Sequence, residues 1–183
     1  MLKMDFLGLK TLSIIKDAVL LVEKRHNLKL DIENVDLEDT KTFSLYQSGE
    51  TNATFQFESD GMQKHLRSLK PDKFEDLIAM NALYRPGPLE YIPNFIERKH
   101  GREKINYDLP EMEKILGATY GITVYQEQVM LLSQELAGFS KGDADKLRKA
   151  MGKKDKKLLD GLKEDFLKGC AKRSYSIKKV EKI

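Results

Sequence analysis

Apolar residues recur at helical spacing along most of the chain. From Leu9 to about His26 one stripe is apolar and the charged residues lie off it, which predicts an amphipathic helix; the stripe consists of Leu12, Ile15, Val19 and Val22. Glycine and proline divide the rest of the chain into further segments of the same kind. These segments predict helices over Thr40–Gln47, Ser59–Leu69, Asp72–Tyr84, Leu89–His100, Pro110–Leu116, Val124–Ala137, Asp143–Met151 and Lys156–Lys172.

Helix ends and strands are predicted at only a few places. Ser59 and Asp72 precede apolar helical patterns and are expected to cap them, and Gly152 is expected to stop the helix before it. Two short stretches, Leu2–Leu9 and Thr54–Phe57, favour strands because apolar and polar residues alternate in them. The predicted fold class is therefore mainly α and multi-helical, with a short N-terminal strand and little other β-structure.

Size and composition narrow the class of protein. A chain of 183 residues forms one domain or two small ones and can bury a core. Its single cysteine, Cys170, excludes an internal disulfide framework and a cysteine zinc cluster, which is typical of a reducing cytoplasm. No apolar run approaches the roughly 20 residues of a membrane span, and no leader pattern opens the sequence. We expect a cytoplasmic protein without a membrane partner.

Positive charge is concentrated toward the C-terminus. From Lys141 onward there are 15 Lys and Arg residues against 7 Asp and Glu, whereas residues 1–140 carry the net −5 that leaves the whole chain at +3. If Leu147, Ala150 and Met151 face inward, helical spacing brings Lys146, Lys149 and Lys153 together on the other side, with Arg148 and Lys154 at the margins. Such a face suits a nucleotide triphosphate or a nucleic-acid backbone. Composition alone equally describes a solvated lysine-rich face.

An acid set among apolar residues is the second chemical feature. In Leu2–Leu9, strand alternation puts Lys3 and Asp5 on the same face. A carboxylate beside a lysine at the edge of a cleft suits Mg²⁺, which prefers oxygen ligands and couples them to substrate phosphates. The alternative is a surface acid or a helix cap, which is the commoner fate of such residues.

Six ordered motifs carry a resemblance to a known family. They are Lys3-Met-Asp-Phe-Leu-Gly-Leu9, Phe55-Gln-Phe-Glu-Ser59 with Gly61-Met62, Ala82-Leu-Tyr-Arg-Pro-Gly-Pro88, Arg98-Lys-His-Gly101, Val124-Tyr-Gln-Glu-Gln-Val-Met130 and Leu147-Arg-Lys-Ala-Met-Gly-Lys-Lys154. In order and spacing they resemble the alpha subunit of bacterial DNA polymerase III, the family C replicative polymerases, over about residues 2–172. Family members are far longer, so the resemblance implies a fragment: residues 1–9 from the last palm strand and residues 10–183 from the start of the fingers domain.

The resemblance also implies roles for individual residues. Asp5 resembles the third of three palm aspartates that hold two Mg²⁺ ions, the other two lying outside this sequence. Lys3, Arg148 and Lys149 would contact the incoming triphosphate, although the family commonly has two arginines where this chain has Arg148-Lys149. Arg85 is either held toward the nucleotide cleft by its Pro-Gly-Pro turn or is a surface arginine where a helix ends, and both alternatives stay open. Lys153 and Lys154 would contact the triphosphate or the template backbone. The pair Asp143-Ala-Asp145 lies at a helix start and is interpreted as capping or surface acids, not as a metal site.

Two classes of function remain open at the level of sequence. The first is a piece of a DNA-directed DNA polymerase that binds dNTP and primer-template DNA, is inactive alone, and works with the remainder of its subunit. Sliding clamp, clamp loader and proofreading partners would bind regions outside this span. The alternative is a non-enzymatic basic helical module that binds nucleic acid or protein. In addition, separation from the palm predicts exposed apolar surface near residues 1–12.

Overall fold

The computed structural model describes residue 4 and residues 8–183, and over these residues the chain is mainly α-helical with no strand. The predicted strand Leu2–Leu9 falls largely outside the described residues. The α-helices are α1 (Lys10–His26), α2 (Thr40–Ser48), α3 (Asp60–Leu69), α4 (Phe74–Leu83), α5 (Ile92–Lys99), α6 (Glu113–Leu116), α7 (Gln126–Ala137), α8 (Lys141–Lys153), α9 (Lys156–Lys172) and α10 (Ile177–Val180). Short 3-10 helices lie at Ile32–Asn34, Pro88–Tyr91, Pro110–Met112 and Gly117–Thr119.

The predicted strand at Thr54–Phe57 is wrong, because this segment forms consecutive turns. Gln56 adopts a left-handed φ of 68°, which extended backbone does not allow. The hydroxyl of Thr51 donates to the carbonyl oxygen of Phe57 at 2.6 Å and closes the loop. Phe57 packs edge-on against Tyr46, with ring centroids 5.3 Å apart, while Phe55 is exposed. The alternation of aromatic and polar residues therefore reflects one half-buried and one exposed aromatic residue in turns.

Predicted helix ends are confirmed at Ser59 and corrected at two other residues. The Ser59 side chain accepts a hydrogen bond from the amide of Met62 and caps α3. Asp72 does not cap α4; its carboxylate accepts a hydrogen bond from the Lys99 ammonium group at 2.6 Å. Gly152 does not stop α8, which continues to Lys153 and ends where Lys154 takes a left-handed φ of 53°. The helix therefore includes Lys153, which the sequence pattern places after its end.

A first core joins helices α2 to α5. Its buried side chains come from all four helices and include Phe43, Leu66, Met80, Leu83 and Phe95. One charged group is buried with them: Asp76, only 1% exposed, pairs with the Lys99 ammonium group at 2.9 Å. The hydroxyl of Tyr120 also reaches Asp76, at 3.3 Å. This buried pair ties α4 and α5 to the turn that leads into α7, since a buried carboxylate requires such partners.

A second core lies around α7, which packs against both α8 and α9. Its buried residues include Leu116, Leu132, Leu136, Cys170 and Val180. The contact between α7 and α9 is very close, because a Cβ atom placed on Gly169 would lie 2.2 Å from the carbonyl oxygen of Ala137. Only glycine at this position permits that approach.

Helix α1 confirms the predicted amphipathic segment but has no buried residue. Leu12 is 64% exposed, and Ile14, Leu20 and Leu21 are also exposed. Met4 and Leu9 are exposed as well, so the apolar surface expected near residues 1–12 is present on its described part. Exposed apolar side chains are therefore concentrated on this segment.

The close approach at Gly169 can be tested within one helix. A Gly169→Ala substitution is expected to destabilise the protein by roughly 1–3 kcal/mol, because the added methyl group must displace the backbone of Ala137. Gly161→Ala, also in α9, meets no atom within 4 Å and is expected to stabilise the protein by about 0.5–1 kcal/mol through helix propensity. Urea unfolding measures both. Equal free energies of unfolding for the two variants would contradict the packing described here.

Candidate phosphate-binding surface

A run of cations lies along and just after α8, the helix that packs beside α7. Helix α8 is anchored by Ala144 and Ala150, which are buried against its neighbours. Ser140 caps its start, because the Ser140 hydroxyl accepts a hydrogen bond from the amide of Asp143. The five cations on and after this helix are called the α8 basic face: Lys146, Arg148, Lys149, Lys153 and Lys154. All four lysines are exposed and Arg148 is half-buried. Four of the five cations thus lie within α8, and Lys154 follows at its C-terminal end.

One of the three residues predicted to face inward from α8 is exposed instead. Ala150 is buried and Leu147 is half-buried, but Met151 is 41% exposed. Both Leu147 and Met151 line a groove of about 500 Å³ between α7, α8, α9 and α10. Most side chains around the groove are apolar, among them Val129, Leu159 and Phe166. An apolar groove does not suit a triphosphate, so this cavity is not the candidate phosphate site.

Two acids of α8 hold cations of the same helix. The Asp145 carboxylate accepts hydrogen bonds from Nε and Nη2 of Arg148, at 3.0 and 2.8 Å, through Oδ1, and from Nζ of Lys149 at 2.7 Å through Oδ2. Asp143 accepts hydrogen bonds from the Ser140 hydroxyl at 2.6 Å and from Lys146 at 3.0 Å. The hydrogen bond from Lys149, and then that from Arg148, lowers the pKa of Asp145. Asp143 therefore supports the cap at Ser140, and both acids act as ion-pair partners near the helix start.

Lys153 and Lys154 differ from the cations before them. Neither forms an ion pair with any described residue. Lys154 ends α8 in the left-handed conformation, and Asp155 turns away to cap α9 by accepting a hydrogen bond from the amide of Leu158. The C-terminal end of the basic face thus carries two cations whose charge is not compensated within the described chain.

Arg85 lies on the first core, directly after α4. Its amide donates to the carbonyl oxygen of Leu83 at 2.7 Å, and Gly87 continues the turn with a φ of 102°. The preceding Tyr84 packs against α3 so closely that a Cβ atom on Gly61 would lie 2.2 Å from its hydroxyl oxygen. The backbone path of Arg85 is therefore fixed, while its side chain is exposed and forms no ion pair with a described residue.

The structure brings only part of the predicted site together. Arg148 and Lys149 share one carboxylate, whereas Lys153 is the last residue of α8 and Lys154 follows it at the helix end. No ion pair between described residues joins Arg85 to this face. Lys3 and Asp5 lie outside the described residues.

A buried glutamine that the sequence interpretation missed holds α7 in place. Gln126 and Glu127 are exposed, whereas Gln128 is buried. Gln128 Oε1 accepts hydrogen bonds from the amides of Val124 and Tyr125, and its Nε2 donates to Thr119 Oγ1 at 2.8 Å. The available signal was its place at the third helical position, where Gln commonly bonds back to the residue that opens the helix. Gln128 is thus the bracing residue of this motif.

Comparison with known proteins assigns the chain to a family. A family model described as the bacterial DNA polymerase III alpha subunit finger domain matches residues 11–174. The chain belongs to this finger-domain family. The resemblance inferred from six short motifs is thereby confirmed over most of the chain.

Individual relatives place the finger domain within much longer proteins. The chain is 48% identical over 183 residues to the DNA polymerase III subunit alpha of Bacillus subtilis (strain 168), a match that covers all of this chain and 16% of the relative. It is 48% identical over 185 residues to the Aquifex aeolicus (strain VF5) protein, again with all of this chain and 16% of the relative. The Campylobacter jejuni protein is 49% identical over 185 residues, covering all of this chain and 15% of the relative.

The described residues of the finger domain contain no group of three His, Cys, Asp or Glu side chains that could hold a metal ion. Asp143 and Asp145 are already engaged by cations of α8. Asp5, the predicted metal ligand, lies outside the described residues. A metal site that includes Asp5 would therefore need ligands from beyond the part of the chain described here. Across that same part, no helix combines the length and the apolarity needed to cross a bilayer.

The ion pairs of α8 can be checked by titrating its carboxylates in the finger domain. Removing both cations in an Arg148→Ala, Lys149→Ala variant is expected to raise the pKa of Asp145 toward its ordinary value, whereas that of Asp143, lowered by Ser140 and Lys146, stays low. Because the pKa of Asp145 is lowered in the folded state, its ion pairs stabilise the fold above the ordinary pKa, and this contribution is lost as pH falls through the lowered one. Carboxyl ¹³C shifts measured against pH report both groups. An unchanged Asp145 titration would refute the pairing.

Proposed function

We propose that the α8 basic face binds the phosphates of an incoming deoxynucleoside triphosphate and of template DNA, as part of a bacterial replicative DNA-directed DNA polymerase. The observation that carries the proposal is the run of five cations along and just after α8, two of which form no ion pair with a described acid. Family membership supports it, because the relatives are DNA polymerase III alpha subunits. The chain spans about 16% of their length, so nucleotide addition itself belongs to the complete subunit.

The donors on α8 suit this task in different ways. Arg148 offers a planar guanidinium that binds two phosphate oxygens at once, whereas Lys149 offers a compact ammonium group without the planar fork. Exposed ion pairs such as those with Asp145 contribute little stability, so phosphate oxygens can compete for the remaining donors. Lys153 and Lys154 then extend positive charge beyond the helix end, where a triphosphate or a template backbone would benefit from it.

The N-terminal residues complete the proposal. Residues 1–9 are a remnant of the palm and residues 10–183 the start of the fingers, so Lys3 and Arg85 would approach the same nucleotide from other sides. Asp5 would be one carboxylate ligand of Mg²⁺, which in such enzymes stabilises the negative charge of the transferring phosphoryl group. Because the described residues offer no complete metal site, the finger domain alone is expected to be inactive.

The partners follow from this assignment. Primer-template DNA and dNTP are the substrates, and the remainder of the polymerase subunit is the first protein partner. The exposed apolar residues of α1 supply a surface for that contact. Sliding clamp, clamp loader and proofreading subunit would bind regions outside this span, and the cytoplasm is the expected location.

Nucleotide titration tests the proposal. A fluorescent deoxynucleoside triphosphate with Mg²⁺ should bind saturably. An Arg148→Ala, Lys149→Ala variant should bind it at least about tenfold more weakly, because each substitution removes charge-assisted hydrogen bonds to phosphate. A Lys168→Ala, Lys172→Ala variant of α9 removes the same charge away from the basic face and should change affinity by less than about twofold. The same variants are compared in the complete subunit.

Two outcomes would contradict the proposal. Equal weakening in both double variants would mean that overall charge, and not the α8 basic face, attracts the nucleotide. If neither this chain nor the complete subunit bound the nucleotide, and both bound DNA with a strong dependence on salt, a basic nucleic-acid-binding module would be favoured instead.

A further inference from the structure

We propose that Asp145 is a positioning residue that aims Arg148 and Lys149 at the phosphates of the nucleotide. This inference rests on the proposed function of the α8 basic face. Asp145 is the only described residue that pairs with either cation, and it pairs with both at once. A carboxylate placed among phosphate-binding cations lowers the net positive charge that attracts phosphate. Its role must therefore be something other than attracting the nucleotide.

The geometry of Arg148 indicates that benefit. Nε and Nη2 both donate to the same oxygen of Asp145, at 3.0 and 2.8 Å, which uses the side edge of the guanidinium. The end edge, formed by Nη1 and the second hydrogen of Nη2, makes no hydrogen bond to a described residue. That edge is the fork that matches two phosphate oxygens. Asp145 therefore fixes the plane of the group and leaves its phosphate-binding edge available.

Lys149 is held by the second oxygen of the same carboxylate. Its ammonium group donates to Oδ2 at 2.7 Å, and two of its three hydrogens remain for a ligand. A lysine chain is flexible, and holding it in place before the nucleotide arrives lowers the entropy lost on binding. One carboxylate thus orders a planar donor and a point charge side by side.

Asp143 offers a matched comparison on the same helix. It carries the same charge and pairs with a cation of the basic face, but its partners are the Ser140 hydroxyl and Lys146, one turn nearer the helix start. Neither Arg148 nor Lys149 bonds to it. Neutralising Asp143 changes the net charge of α8 as much as neutralising Asp145 does, without releasing the two cations.

Steady-state kinetics of the complete polymerase subunit separate positioning from charge. Asp145→Asn adds one positive charge to the protein, so a purely electrostatic role predicts a lower KM for dNTP. Positioning predicts the opposite, a KM raised on the order of tenfold with a smaller change in kcat, because misaligned donors bind the nucleotide poorly. Asp143→Asn should leave KM within about twofold, and Asp145→Glu, which keeps the carboxylate, should recover part of the loss.

Two further measurements keep the result interpretable. In the Arg148→Ala, Lys149→Ala background, Asp145→Asn should have no additional effect on KM, since it acts through those side chains. Affinity for DNA at low salt should not fall in Asp145→Asn, because no positive charge is lost. A KM for Asp145→Asn that is lowered, or equal to that of Asp143→Asn, would overturn the positioning role while leaving the proposed function intact. If the Arg148→Ala, Lys149→Ala variant itself kept a normal KM, the proposed function would fail first.

Discussion

The contact between Gly169 and the carbonyl of Ala137 sets the geometry of the second core. The contact occurs at Ala137, the last residue of α7. Gly138 then turns the chain with a φ of 73°, and Ser140 caps the start of α8. Arg173 strengthens the same junction by donating to the carbonyl oxygen of Glu135 at 2.6 Å. The direction in which α8 leaves α7, and hence the direction of its basic face, depends on how closely α9 approaches this turn.

The basic face is organised by the acids of its own helix. Asp143 and Asp145 each engage cations one turn later, so the helix start is compensated while the end at Lys153 and Lys154 is not. Charge therefore rises along α8 toward its C-terminal end, where the helix dipole also favours cations. This gradient explains how a chain with a net charge of only +3 presents a concentrated positive surface.

Much of the fold could be predicted from the sequence because helical periodicity and glycine or proline boundaries are local signals. The bounds of α9 match the prediction, and Ser59 caps α3 as expected. The errors have tertiary or backbone causes: Gln56 takes a left-handed conformation, and Asp72 is drawn to Lys99 instead of capping α4. Gly152 remains helical, because glycine in a helix interior costs only about 1 kcal/mol relative to alanine.

The candidate site was predictable to a smaller extent. Spacing alone groups Arg148 and Lys149 on one face, but the choice of Asp145 as their common partner depends on side-chain rotamers. The bonds of Gln128 to the residues that open α7 follow a local pattern, but its hydrogen bond to Thr119, nine residues away, does not. Helix α1 is likewise exposed because no other part of the described chain buries its apolar side chains.

The central claim, that the α8 basic face binds a nucleotide triphosphate, is tested most directly by mapping amide chemical shifts of this chain during titration with Mg²⁺ and a deoxynucleoside triphosphate. The account predicts that the largest saturable changes fall between Asp145 and Asp155, with a second set around Arg85. Changes confined to α1 or to the apolar groove beside Phe166, with residues of α8 unaffected, would contradict it.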